Sequence, residues 1–180
     1  MIIDYFATII FILIHFFETD LASGVVHFLT DKFLDKWMIP NDHHEFPRHQ
    51  MWFLFFENFC CVCFTSGLDY FTTNMMQYSI YYWTCRSCLQ FVVPFVHQYQ
   101  HHITADDFLM RYKLVASYSN HRIHHIEFDK KFCLLNGWAD FLVDRFETVP
   151  LIYKYPMISL LLYSVIRTVF YENISPFLLN

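Results

Sequence analysis

Four long apolar stretches constrain the fold of this chain more than any other feature of its sequence. They cover approximately residues 5–28, 51–67, 75–97 and 151–171. A helix that crosses the hydrocarbon of a bilayer needs roughly 20 mostly apolar residues, so each stretch is long enough, or nearly so, to span a membrane. We therefore predict an all-α integral membrane protein with about four transmembrane helices, built as a single domain over residues 1–180.

The composition agrees with a membrane location and excludes one class of partner. Hydrophobic residues make up 56% of the chain and aromatic residues 21%, while only 16% of the residues are charged. The formal net charge is −5, with 12 Lys and Arg in total. Proteins that bind nucleic acid need a basic surface to neutralise phosphates, so we predict no nucleic-acid partner.

The basic residues predict which side of the membrane each connection faces. Lys and Arg occur in the connections 29–50 and 101–150 and are missing from the turn 68–74 and the tail 172–180. Cytoplasmic loops of membrane proteins carry an excess of Lys and Arg, so both long connections are predicted to lie in the cytoplasm. Ten of the eleven histidines, all except His15, fall in these connections or at the helix ends that lead into them. The chain is thus predicted to carry a histidine-rich cap on its cytoplasmic side.

The histidines of this cap occur at spacings that suit metal binding. Residues three or four apart on a helix share a face, which applies to the pair at 97 and 101 and to the group at 121, 124 and 125. With the adjacent pair at 43 and 44 and the histidine at 27, eight or nine nitrogen donors are available. One zinc ion takes about four ligands, so this number fits two metal ions better than one.

Two histidines do not follow the pattern. His15 lies alone in the middle of the first apolar stretch, and His102 points away from the helix face that His97 and His101 share. Lone histidines in such positions are usually packing or surface residues. We predict that neither binds a metal.

Several motifs together resemble a known family of membrane enzymes. They are DLASGVVH at residues 20–27, the pair His43 and His44, HxxxH at residues 97–101, HRIHH at residues 121–125 and FCLLNGW at residues 132–138. In this order they resemble the Kua family of membrane desaturases, which includes plasmanylethanolamine desaturase and, more distantly, a plastid desaturase that acts on phosphatidylglycerol. The resemblance covers residues of about 20–146.

The resemblance implies a diiron enzyme that uses O₂ and two electrons to remove two hydrogens from a lipid chain. In the branch with the most similar motifs, a 1-O-alkyl ether lipid, plasmanylethanolamine, becomes the vinyl ether of a plasmalogen. Electrons come from cytochrome b5 and its NADH-dependent reductase, and the enzyme resides in the endoplasmic reticulum. The family pattern implies eight metal ligands and adds His49 as a ninth: His27, His43, His44, His49, His97, His101, His121, His124 and His125.

Three further residues are implied to support the ligands. Asp20 lies seven residues before His27, where it can accept a ring N–H from a ligating histidine or cap a helix end. Glu57 and Asn58 occupy the place of an acid–Asn pair in the family.

Other interpretations of the sequence remain open. The same chemistry fits an acyl-chain desaturase or a hydroxylase, and the histidines would also suit a non-catalytic metal-binding membrane protein or a divalent-metal transporter. An inactive relative is a third possibility, since Asn120 and Lys113 stand where the most similar branch has histidines.

Overall fold

The computed structural model describes residues 2–34, 80–103, 105, 107–155, 158–163, 165, 166 and 169. These residues are mostly helical, and no β-strand occurs among them. Two helices are long, α1 (Ile2–Leu29) and α2 (Ile80–His102). Four are short: α3 (Phe108–Arg111), α4 (Tyr118–Glu127), α5 (Asp140–Val143) and α6 (Pro150–Lys154).

Helix α1 contains the first predicted span, 5–28. With 28 residues it is about 42 Å long, and it continues into a π-helical turn, Thr30–Leu34. Within the described part of the chain, Ile12–Phe33 is the one helix that is long and apolar enough to cross a membrane. The predicted span 51–67 lies outside the described residues.

Helix α2 overlaps the third predicted span, 75–97, and extends beyond it. It has 23 residues, enough to cross a bilayer, but its glutamines, histidines and Arg86 lower its hydropathy. The helix continues to His102, so His97 and His101 both lie within its regular part. Helices α1 and α2 pack against each other.

The last predicted span, 151–171, is not a continuous helix. Helix α6 ends at Lys154, and Tyr155 leaves the helical region with φ −132° and ψ 83°. The sequence places Pro156 next, and a proline disfavours helical backbone in the residue before it. Helical residues resume at 158–163, where Leu160 and Tyr163 are buried in the core.

The main hydrophobic core forms between one face of α1 and the segments that follow α4. Leu21, Val25 and Phe28 lie on that face because they are spaced by three and four residues. The ring of Phe28 forms T-shaped contacts with Phe132 and Phe146, with ring centroids 5.3 and 5.7 Å apart. The core therefore holds the end of α1 against the loop after α4.

A glycine lets this loop approach α1 closely. A Cβ atom added at Gly24 would lie 2.5 Å from Sγ of Cys133 and 3.0 Å from Cγ2 of Val143. Real side chains do not tolerate a 2.5 Å contact, so any larger residue at position 24 must displace the loop or α5.

A buried carboxylate fixes the same loop to α1. Oδ1 of Asp20 accepts the backbone N–H groups of Leu135, Asn136 and Gly137 at 3.1, 2.9 and 3.1 Å. Its Oδ2 accepts the N–H of Ala139 at 2.9 Å. Four charge-assisted hydrogen bonds compensate for the burial of the charge and hold residues 135–139 two turns before His27.

Candidate metal centre

Four imidazoles from two helices converge at the end of α2. Two of them, His97 and His101, lie one turn apart on α2, and His121 and His125 lie one turn apart on α4. Their Nε2 atoms form a row, with 3.1 Å from 97 to 101, 3.1 Å from 101 to 121 and 3.0 Å from 121 to 125. We call this group the four-histidine cluster.

Hydrogen bonds alone do not explain the three short contacts between these nitrogens. Each neutral imidazole nitrogen carries either one proton or one in-plane lone pair and so takes part in one hydrogen bond. The two middle nitrogens, of His101 and His121, each have two close nitrogen neighbours. At most two of the three contacts can therefore be well-directed hydrogen bonds, and the remaining one brings two ring nitrogens to the same distance with no proton directed between them. A cation bound by all four lone pairs removes this conflict.

The spacing also suits a bound metal ion. A metal–nitrogen bond to histidine is about 2.1 Å, so two such ligands at right angles lie about 3.0 Å apart. The observed contacts of 3.0 and 3.1 Å agree with that separation. All four ligand atoms lie within 4.8 Å of one another.

A second group of ligands lies beside the first. Nε2 of His27 is 3.3 Å from Oδ2 of Asp31, and Nε2 of His124 is 2.9 Å from the same oxygen. All three side chains are buried, with at most 5% exposed. Their ligand atoms also lie within 4.8 Å of one another, so the group can hold one ion. We call it the His–Asp–His cluster.

The local backbone explains how the two clusters receive their ligands. Asp31 follows His27 by four residues, and the helix passes there from α-helical to π-helical geometry, a change that often marks functional sites. On α4, His124 comes three residues after His121 and one residue before His125. At about 100° per residue its side chain diverges from that pair, so α4 supplies both clusters.

The two clusters are direct neighbours. The ring centroid of His27 lies 5.4 Å from that of His97, and the centroid of His124 lies 5.9 Å from that of His125. The arrangement can therefore place two metal ions side by side.

Backbone carbonyls orient the rings of the His–Asp–His cluster. Nδ1 of His27 lies 3.0 Å from the carbonyl oxygen of Phe132, and Nδ1 of His124 lies 2.8 Å from that of Lys130. A carbonyl oxygen only accepts, so in both rings Nδ1 carries the proton and donates it. In the neutral ring, the form that binds a metal, each Nε2 then has a lone pair that points toward Asp31, which is the usual arrangement of a metal-binding histidine.

The electrostatics of the four-histidine cluster favour neutral rings. Burial lowers the pKa of His121 well below its usual value, and the nearby His101 and His125 lower it further. A neutral imidazole is the form that binds a metal.

The structure brings together six of the predicted ligands and leaves the two predicted non-ligands apart. His15 is buried beside Glu18, with 3.5 Å between Nδ1 and Oε2, and the exposed His102 contacts Gln98 at 2.8 Å. The six are His27, His97, His101, His121, His124 and His125. The other predicted site residues lie outside the described residues: His43, His44, His49, Glu57 and Asn58.

Two acidic residues have contacts that differ from the sequence-based predictions. Asp20 accepts no ring N–H in the contacts described above; its oxygens bind the backbone of residues 135–139 instead. Asp31 was not among the predicted ligands, yet it is the carboxylate of the His–Asp–His cluster. The signal that would have found it is its spacing, four residues after His27 and on the same helix face.

Comparison with known protein families places this centre in context. No curated protein and no solved structure matches the chain. The family model described as the lipid desaturase domain matches residues 16–152, most of the chain, and this range includes both clusters. The chain belongs to the lipid desaturase domain family.

Proposed function

We propose that the protein is a membrane-bound, O₂-dependent lipid desaturase with a diiron centre. The observation that carries the proposal is the His–Asp–His cluster beside the four-histidine cluster, in a chain of the lipid desaturase family. The apolar helix Ile12–Phe33 agrees with a membrane enzyme.

The donor set supports iron. Two histidines and one carboxylate with open positions are typical of non-haem Fe(II) sites that use O₂. Zinc binds to the same side chains but has no redox chemistry. When bound, an iron pair supplies the oxidising power for the overall reaction, in which O₂, two electrons and two protons take two hydrogens from the lipid chain and yield two waters.

The residues of the chain would position this centre and keep it dry. The carboxylate of Asp31 supplies negative charge between His27 and His124, while the carbonyls of Lys130 and Phe132 hold both rings. His27, His97 and His124 are almost completely buried, which excludes bulk water from the ligands.

The His–Asp–His cluster has three donors, one fewer than its neighbour. We propose that His43 and His44, with His49, complete the coordination, and that one position stays open for O₂. Glu57 and Asn58 are proposed to support these ligands. The family motifs in the sequence support this assignment.

For the substrate we propose plasmanylethanolamine, whose 1-O-alkyl chain becomes a vinyl ether. The support is the set of motifs shared with the Kua family, HRIHH and FCLLNGW above all. The same resemblance supports cytochrome b5 with its NADH-dependent reductase as the electron source and the endoplasmic reticulum as the location. Four apolar stretches and the distribution of Lys and Arg support four spans with the histidines on the cytoplasmic side.

Metal analysis of the purified chain tests the centre. We expect two irons per chain in the wild type and fewer in His97→Ala. About one zinc and no iron per chain would contradict a desaturase.

Lipid analysis tests the substrate. The chain is expressed in cells that lack plasmalogens and receive ether lipid, and acid-labile vinyl ethers are measured by mass spectrometry. We expect vinyl ethers with the wild type and with His102→Ala but none with His124→Ala. If an expressed protein with two irons forms a double bond only in acyl chains, the substrate is an acyl lipid and the plasmalogen assignment is wrong.

A further inference from the structure

The peptide group between Lys130 and Lys131 connects a carboxylate to the metal centre. Its carbonyl oxygen, on Lys130, accepts the Nδ1–H of His124 at 2.8 Å. Its N–H, on Lys131, donates to Oδ1 of Asp144 at 2.8 Å. One planar peptide group therefore carries a hydrogen bond at each end.

The series of contacts continues to the ligand atoms. Nε2 of His124 lies 2.9 Å from Oδ2 of Asp31, so Asp144, the peptide, His124 and Asp31 form one connected line. Hydrogen bonds in such a series polarise one another. A negative charge at the N–H end of a peptide increases the electron density on its carbonyl oxygen, which makes that oxygen a stronger acceptor.

The backbone at Lys131 shows that this peptide is held in place. Lys131 has φ +63°, in the left-handed region that residues other than glycine rarely adopt. Such a conformation persists only where the surroundings enforce it. The hydrogen bond to Asp144 is one such constraint, and Asp144 itself begins the 3-10 turn Asp144–Thr148 in the segment packed against α1.

We propose that Asp144 is a positioning residue for the His–Asp–His cluster and acts on His124 through the Lys130–Lys131 peptide. The arrangement corresponds to the carboxylate–histidine–metal triads of metalloproteins, with a peptide group inserted between carboxylate and ring. Asp144 fixes the ring orientation of His124 and makes its Nε2 a stronger electron donor. The inference rests on the metal centre of the proposed function, but it concerns metal binding and not the lipid substrate.

Cobalt titration of the full-length chain in detergent tests the proposal, since Co²⁺ binds the same ligands and reports its coordination by visible absorption. We expect Asp144→Ala to weaken binding at the His–Asp–His cluster by about 10- to 100-fold, the usual effect of losing such a supporting partner. The four-histidine cluster serves as the internal reference and should keep its affinity. Asp144→Asn retains an acceptor oxygen without the charge, so it should recover the part of the affinity that depends on ring orientation and bind with an affinity between those of Asp144→Ala and the wild type.

Asp107→Ala is the matched control. Asp107 also accepts backbone N–H groups, among them that of Met110 at 3.0 Å, and the Tyr99 hydroxyl at 2.6 Å, but it lies at the start of α3 and not on the loop that binds the histidines. We expect this variant to bind cobalt like the wild type. Unchanged affinity in Asp144→Ala, or a parallel loss at both clusters, would overturn the proposal.

A measurement on the metal-free chain covers the case in which Asp144→Ala does not fold. Nitrogen NMR of the imidazole rings reports the proton on Nδ1 of His124 and the strength of its hydrogen bond. We expect that hydrogen bond to weaken in Asp144→Asn while that of His27, which binds another carbonyl, stays the same. An unchanged signal of His124 would overturn the proposal. A chain that passes both tests but forms no lipid product would contradict the proposed function alone.

Discussion

Nε2 of His124 lies 2.9 Å from Oδ2 of Asp31, and both side chains are buried. The contact joins α4 to the π-helical turn after α1 and creates a ligand group that neither segment has alone. Because Asp31 also approaches His27, at 3.3 Å, its carboxylate is the common member of the group.

Replacement of Asp31 by Asn should therefore remove one metal site. An amide is a weaker metal ligand than a carboxylate and brings no negative charge to a buried cation. We expect Asp31→Asn to retain about one metal per chain in place of two and to lose at least 100-fold in desaturation, since loss of a redox metal ends the reaction. Metal content and lipid product measured on the same preparation check this.

The control for this variant is Asp129→Asn, which changes an exposed aspartate close to the same loop. It should keep the metal content and the activity of the wild type. Two metals per chain in Asp31→Asn would show that the carboxylate is not a ligand.

The two adjacent histidines at the end of α2 provide a sharper comparison. Nε2 of His101 lies 3.1 Å from both His97 and His121, while His102 is exposed and contacts only Gln98 among the contacts described above. We expect His101→Ala to lose the metal of the four-histidine cluster and at least 100-fold in activity, and His102→Ala to stay within about twofold of the wild type. Equal losses in the two variants would contradict the assignment of the cluster.

Helical spacing is local, so the sequence alone predicted that the histidines of α2 and α4 share helix faces, while His27 and the full ligand set were predicted from the family resemblance. The pairs His97–His101 and His121–His125 share a helix face at any position in the fold. The division of α4 between two clusters was not predictable, since it depends on where α1 and α2 lie around that helix. His124 joins the α1 side and His125 the α2 side only after the helices have packed.

Asp20 and Asp31 show that the roles of acidic residues, too, depend on tertiary packing that the sequence does not reveal. Asp20 lies on α1 and Asp31 on the π-helical turn that follows it, and both side chains are buried, but one binds backbone amides and the other faces two imidazoles. What separates them is the partner that the tertiary fold brings: the loop 135–139 for Asp20, and His124 for Asp31. Proximity to His27 in the sequence is common to both and does not distinguish them.

The close contact between α1 and the loop after α4 predicts that substitutions at Gly24 and Cys133 have coupled effects on stability. Gly24→Ala places a methyl group 2.5 Å from Sγ of Cys133, and overpacking of this kind costs about 1–3 kcal/mol. We expect a lower thermal midpoint for Gly24→Ala in detergent. The double variant Gly24→Ala, Cys133→Ala should recover much of the loss because the sulfur is gone, although Val143 at 3.0 Å keeps part of the strain.

Cys133→Ala alone is the control for that pair, and the four proteins form a double-mutant cycle. We expect strong coupling between the two positions. Additive effects on the midpoint would show that the loop does not press against Gly24.

The buried carboxyl of Asp140 predicts how stability depends on pH. Burial raises its pKa from 3.8 to about 6; the backbone N–H of Cys133 opposes this shift, while Asp144 and Asp20 add to it and Lys131 offsets part of it. Because the folded state binds this proton more tightly than the unfolded chain, the contribution is full below about pH 4 and is lost as the pH rises through about 6. The loss amounts to on the order of 3 kcal/mol.

Asp140→Asn separates this effect from the titration of other groups. Its side-chain oxygen can still accept the N–H of Cys133, now 3.0 Å from Oδ1 of Asp140, but it carries no charge at any pH. We expect the thermal midpoint of the wild type to fall relative to that of the variant between about pH 4 and about pH 7, since only the wild type must bury a charge at the higher pH. Parallel midpoints across this range would mean that Asp140 keeps an ordinary pKa. A midpoint that rises with pH relative to the variant would mean that Lys131, 3.7 Å away, pairs with an ionised carboxylate strongly enough to outweigh its burial.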